Sequence, residues 1–142
     1  MSALQADLFT TIPTFSAAEV AQRLGVEKSR VGRLVQERAL VALPNTQVLA
    51  IPKDCLVELD AEDQYVSELR RRNSEEPLLV RVTHQVVPHL RGTVLVLEDS
   101  RHTPEEIVAW LWGNNDWLGA KPIDLLRQGS HKKVNQIAAL TE

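Results

Sequence analysis

The chain has 142 residues, a formal net charge of −3 at pH 7 and a hydrophobic content of 44%, which allows one domain or two small ones with a packed core. No apolar run approaches the roughly 20 residues of a membrane-spanning helix, and we expect no signal peptide. The single cysteine, Cys55, excludes an internal disulfide framework, so we expect a cytoplasmic protein in which Cys55 is a core residue.

After a short lead (residues 1–14), which we interpret as a partly ordered tail, residues 16–40 predict two short amphipathic helices joined by a tight turn. This is the helix-turn-helix arrangement that places its second helix in the DNA major groove. Ser16 and Glu19 have the spacing of a capping box, and Gly25 ends the first helix in a left-handed turn. The outward residues of the second helix are the candidate contacts to phosphates and base edges: Lys28, Ser29, Arg30, Arg33 and Gln36.

The same periodicity also fits an ordinary helical hairpin with a solvated basic face. Gly32 lies inside the second helix, where glycine costs roughly 1 kcal/mol relative to alanine. A close approach of this position to the first helix or to DNA would explain the glycine.

The next segment favours DNA binding over the plain helical hairpin. Two apolar runs, residues 40–43 and 48–51, flank a Pro-Asn-Thr-Gln sequence that favours a turn. We therefore predict a β-hairpin closed by Pro52, the wing of a winged helix-turn-helix. Its predicted contacts to the DNA backbone or minor groove are Asn45, Thr46 and Gln47, and Lys53 is a further phosphate contact.

Charge is unevenly distributed along the chain. Residues 16–57 carry six basic side chains against four acidic ones, whereas residues 58–142 carry ten against fourteen. The amino-terminal part is mildly cationic, which predicts modest, salt-sensitive binding to double-stranded DNA.

The middle of the chain predicts a surface helix over residues 60–73, with acidic residues in its first turn and Arg70–Arg72 in its last. Residues 78–87 alternate apolar and polar side chains, which indicates either an extra strand or an extended linker.

The carboxy-terminal part predicts a compact helical unit. Thr103, Pro104 and Glu106 form a second helix start, and that helix stops at Gly113. Further helices are predicted from Pro122 and from about residue 132, and the tryptophans are interpreted as the core of this unit. Residues 90–100 look locally like a strand because of their valines.

Several segments together resemble the actinobacterial DNA-binding proteins that join an amino-terminal winged helix-turn-helix to a small helical carboxy-terminal domain. They are VAQRLGVEKSRVGRLVQERALV (residues 20–41), VLAIP (48–52), LRGTVLVLEDS (90–100), EEIVAWLW (105–112) and LGAKPIDLLRQG (118–129). The resemblance implies that residues 90–100 are helical and that the second helix binds DNA. Residues 58–87 depart from the family pattern.

The part of the chain from residue 110 to residue 140 also resembles, more weakly, the toxin-binding domain of Xre/MbcA/ParS-type antitoxins. This leaves open an antitoxin-like protein-interaction module attached to a DNA reader. Catalysis is not predicted, because the four histidines are scattered and the sequence has no metal-binding spacing, nucleophile elbow or phosphate loop. We expect no cofactor.

The sequence therefore predicts a mainly α protein with a small β-hairpin: an amino-terminal winged helix-turn-helix (residues 1–57), a connecting segment (58–87) and a helical carboxy-terminal domain (88–142). We expect a transcriptional regulator or nucleoid-associated factor that binds double-stranded DNA. A homodimer and a protein partner for the carboxy-terminal domain are left open.

Overall fold

The computed structural model describes residues 3–70 and 75–141, and these form seven α-helices and six short strands. The helices are α1 (Ala3–Thr11), α2 (Ala17–Leu24), α3 (Lys28–Gln36), α4 (Leu90–Asp99), α5 (Pro104–Trp112), α6 (Pro122–Arg127) and α7 (His131–Leu140). The strands are β1 (Thr14–Ser16), β2 (Ala50–Pro52), β3 (Leu56–Glu58), β4 (Tyr65–Leu69), β5 (Leu78–Val82) and β6 (His84–Val86). The protein is thus mainly α with small antiparallel sheets, as the sequence predicts.

The predicted helix boundaries rest on local hydrogen bonds that the structure contains. Ser16 accepts from the Glu19 amide at 3.2 Å, and the Glu19 carboxylate accepts from the Ser16 amide at 3.0 Å. Thr103 and Glu106 form the same reciprocal pair at the start of α5. Gly25 has φ of 69° at the end of α2. Both capping boxes and the left-handed turn are therefore confirmed.

The lead is a helix where we expected a partly ordered tail. Helix α1 packs against α5, and Phe9 and Ile12 are buried in the core with Leu8 packed partly against it. The lead is therefore an ordered part of the fold that adds apolar side chains to the core.

The hairpin predicted over residues 40–51 is wrong. Residues 40–43 form no strand, and β2 pairs antiparallel with β1 instead, with Phe15 opposite Ile51. Both of these side chains are buried, so the distant pairing gives Ile51 an apolar partner that the local one lacks. The two runs are joined by a hydrogen bond from the Leu43 amide to the Ala50 carbonyl at 2.9 Å.

A different hairpin forms in the connecting segment. Strand β3 pairs with β6, and β4 pairs with β5 with Ser67 opposite Val80. The helix predicted over residues 60–73 is therefore wrong: a short 3-10 helix, Ala61–Asp63, precedes β4, and the rest of that prediction (residues 71–73) lies outside the described residues. Of the two interpretations of residues 78–87, the strand is confirmed.

One hydrophobic cluster joins the amino-terminal and carboxy-terminal parts of the chain. Asp54 connects them further: its carboxylate accepts from the Trp112 indole at 3.1 Å and its carbonyl accepts from Arg127 at 2.9 Å. Trp112 is buried, whereas Trp117 is 83% exposed. The prediction that the tryptophans form the core is thus wrong for Trp117. The domain boundaries themselves stay a prediction.

Helix α4 covers the valine-rich segment that looks locally like a strand. Leu90, Val94 and Leu97 are buried on one side of it, and α4 packs along α7. The helix that the family resemblance implied is therefore confirmed.

Candidate nucleic-acid interface

Helix α3 exposes one polar and cationic face. Val31 is fully buried and Leu34 and Val35 are half-buried against the core, and α2 packs on α3. The residues predicted to contact DNA are all exposed on the other side of the helix: Lys28, Ser29, Arg30, Arg33 and Gln36. The structure therefore brings these five together on one accessible surface.

Hairpin β4–β5 lies directly beside this surface. Leu69, at the end of β4, lines a shallow depression together with Ser29, Arg30 and Arg33 of α3. The hairpin is anchored at the end of α2, where the Thr83 amide, just after β5, donates to the Arg23 carbonyl at 3.0 Å. It thus flanks the amino-terminal half of α3.

Sequence reasoning missed this placement. The sequence does contain a pattern that predicts the hairpin: two nearby five-residue segments with β-branched and aromatic side chains, Tyr65–Leu69 and Leu78–Val82. Two arginines of the hairpin are exposed, Arg70 just after β4 and Arg81 in β5. Arg70 directly follows Leu69 beside α3, whereas Arg81 lines a depression with Gln22 and Arg23 of α2.

The loop that was predicted to be the wing is hydrogen-bonded to the start of α5. The Asn45 side-chain amide donates to the Glu105 carboxylate at 3.1 Å, and the Thr46 hydroxyl donates to the Leu43 carbonyl at 3.4 Å. Hydrogen bonds from the Glu105 backbone, and secondarily from Asn45, lower the pKa of Glu105. Asn45, Thr46 and Gln47 are exposed, but their loop is anchored to the first turn of α5. Their contact with DNA stays a prediction.

Lys53 lies in a cluster around the ring of Phe15. Its ammonium nitrogen is 5.1 Å from the ring centroid, and the Arg23 guanidinium carbon is 4.1 Å from it. The imidazole of His84 meets the same ring edge-on at 6.5 Å, and burial, followed by the charge of Arg23, lowers the pKa of His84. Two cations, Arg23 and Lys53, therefore contact one aromatic ring. Sequence analysis had identified only Lys53.

No group of three or more His, Cys, Asp or Glu side chains is arranged to hold a metal ion within residues 3–70 and 75–141. In the same ranges, no helix has the length and apolar character needed to cross a membrane. Cys55 is fully buried, and burial raises the pKa of its thiol to about 12, which confirms it as a core residue.

Comparisons with known proteins agree with this architecture. Residues 3–56 match the winged helix-turn-helix domain of the DNA-binding protein Rv2175c, and residues 87–140 match the Rv2175c C-terminal domain of unknown function. The NMR structure of Rv2175c superposes with a TM-score of 0.65 at 25% sequence identity, over 92% of this chain and 81% of that one. No curated protein sequence matches the chain. Hairpin β4–β5 lies entirely between the two matched segments. The chain belongs to the Rv2175c family, whose members join a winged helix-turn-helix to a helical C-terminal domain.

Proposed function

We propose that this protein binds double-stranded DNA by placing α3 in the major groove, and that it acts in the cytoplasm as a transcriptional regulator or nucleoid-associated factor. The observation that carries the proposal is the exposed face of α3, which presents three cations (Lys28, Arg30 and Arg33) on a helix whose other side is held in the core. Nine residues of α-helix span about 13 Å, which suits a groove roughly 12 Å wide.

Within this face, the side chains have different roles. Lys28 and Arg30, near the start of the helix, are suited to phosphates, and Ser29 can donate to a phosphate or a base. Arg33 and Gln36 lie further along the same face and have the bidentate chemistry that reads guanine and adenine edges. Arg33 is therefore the strongest candidate for sequence recognition.

Hairpin β4–β5 takes the place of the wing in this proposal. Its contact with the depression beside Ser29, Arg30 and Arg33 brings Arg70 to the same side as the recognition face, where it can meet the DNA backbone. The loop containing Asn45, Thr46 and Gln47 stays the second candidate for a flanking contact. Lys53, held beside Phe15, is a candidate phosphate contact.

The proposal is tested with a duplex selected from random DNA by the wild-type protein. Anisotropy titrations should show that Arg33→Ala weakens binding by about 1–3 kcal/mol if Arg33 reads a base. If it holds only a phosphate, the slope of log K against log salt should fall by about 0.9 instead. Arg91→Ala is the matched control, because Arg91 is an exposed arginine in the first turn of α4. Unchanged binding by the double variant Arg30→Ala/Arg33→Ala would refute the proposed interface.

A second candidate function is protein interaction through the carboxy-terminal helices, as in an antitoxin-like module. The observation that favours it is a pair of exposed apolar side chains, Trp117 (83%) and Leu140 (78%), which line one shallow depression with Ile137. Exposed aromatic groups of this kind often mark contact sites. Co-expression with the products of neighbouring genes tests it: a specific complex should be lost in Trp117→Ala and kept in Arg33→Ala. Light scattering on the isolated protein tests whether the partner is a second copy.

A further inference from the structure

Gly32 lies midway along α3, half-buried at the edge of the exposed face. It lies four residues after Lys28 and four before Gln36, so these three positions form one row along the helix. Ser29 and Arg33 stand beside it on the same face. The middle of this row, beside the most exposed residues of α3, is therefore a position with no side chain.

Nothing in the described fold explains this glycine. A methyl group built at Gly32 meets no described atom within 4 Å. Gly25, by contrast, has a positive φ and a methyl there would lie 2.4 Å from Val82, and a methyl at Gly113 would lie 2.7 Å from the Ala109 carbonyl. Glycine inside a helix is destabilising relative to alanine. The chain thus carries an unfavourable residue at Gly32 without using it for packing.

We infer that Gly32 is a DNA contact in its own right, with a base-pair edge of the major groove lying against its Cα. A helix with its side chains nearly fills the width of the groove. A missing side chain beside Ser29, Arg33 and Gln36 lets the helix axis lie deeper, so that the short side chain of Ser29 and the longer ones of Arg33 and Gln36 reach the bases. A methyl group at Gly32 would lie between the helix backbone and the base pair. The hydrogen bonds from Ser29, Arg33 and Gln36 to the bases would then all become longer. This inference rests on the proposed function and adds to it a shape requirement.

The test compares Gly32→Ala with two reference variants on the selected duplex. Gly92→Ala is the matched control: Gly92 also lies within a helix, it is exposed, and a methyl there makes an ordinary contact at 3.9 Å with the Asn135 side chain. Both alanine variants should melt roughly 2–4 °C above wild type. Only Gly32→Ala should bind DNA more weakly, by about tenfold or more, the size of a lost base contact. Arg33→Ala reports on the proposed interface itself.

The other outcomes distinguish failure of the inference about Gly32 from failure of the proposed DNA interface. If Gly32→Ala binds within about twofold of wild type while Arg33→Ala binds more weakly, the inference is wrong and the proposed function stands. If Gly32→Ala lowers the melting temperature, the glycine serves the fold and the inference is wrong. If wild type selects no duplex, or if neither Gly32→Ala nor Arg33→Ala changes binding, the interface on α3 is wrong and the inference fails with it.

Discussion

Replacement of Gly25 by alanine should strongly destabilise the protein, because this residue combines a backbone requirement with a steric one. Its φ of 69° lies in the left-handed region, where a residue with a Cβ pays roughly 1–2 kcal/mol. The new Cβ would also lie 2.4 Å from Val82 Cγ2. Val82 is 4% exposed and its strand packs on α2, so relieving the overlap requires a backbone shift of the kind that costs about 1–3 kcal/mol. The free energy of unfolding should fall by roughly 2–5 kcal/mol.

A double-mutant cycle separates the two contributions. Val82→Ala alone should cost about 2 kcal/mol through lost burial and a cavity. It also removes the methyl that Gly25→Ala strikes, so the double variant should be more stable than the sum of the single effects by about 1–3 kcal/mol. Urea denaturation followed by circular dichroism measures all four free energies. Additivity within about 0.5 kcal/mol, or a cost below about 1 kcal/mol for Gly25→Ala, would refute the argument.

Two further predictions concern groups whose exposure is fully determined by the fold. Cys55 is buried, and its thiol pKa is raised to about 12. A thiol reagent at mildly alkaline pH should therefore modify it only after denaturation. Rapid modification of the native protein would contradict its burial. Because Trp117 is 83% exposed and Trp112 is 2% exposed, Trp117→Phe should remove most of the fluorescence that iodide quenches. Trp112→Phe should leave that fraction in place, and equal loss in the two variants would contradict the assigned exposures.

The helix-turn-helix was predictable because its determinants are close together in the chain. Ser16 and Glu19 bond to each other's backbone across one helical turn, and Gly25 ends the helix through its own backbone freedom. The alternation between core and solvent then places Arg33 outward and Val31 inward. A side chain's face follows from its helix alone, so these residues could be identified without a tertiary structure.

The strands were not predictable in the same way, because each depends on a partner elsewhere in the chain. Ile51 pairs with Phe15, 36 positions away in the sequence, although a nearer apolar run was available. Residues 65–69 carry acidic and aromatic side chains that suit a helix or a strand, and pairing with residues 78–82 decides between them. In α4, by contrast, the helical spacing of Leu90, Val94 and Leu97 was present in the sequence but was masked by valine propensity.

The proposed interface thus joins one element that local signals specify, α3, to one that they do not, hairpin β4–β5. Gly25 connects the two, since the built methyl at this position would contact both Val82 and Ser67. These contacts also select the register of the hairpin. A slip of one residue would reverse the faces of a strand and would place Arg81, instead of Val82, against the turn between α2 and α3. Burying the unpaired guanidinium of Arg81 there would cost far more free energy than packing Val82 provides. The absence of a side chain at Gly25 therefore accommodates the hairpin in the register that keeps Arg81 exposed to solvent.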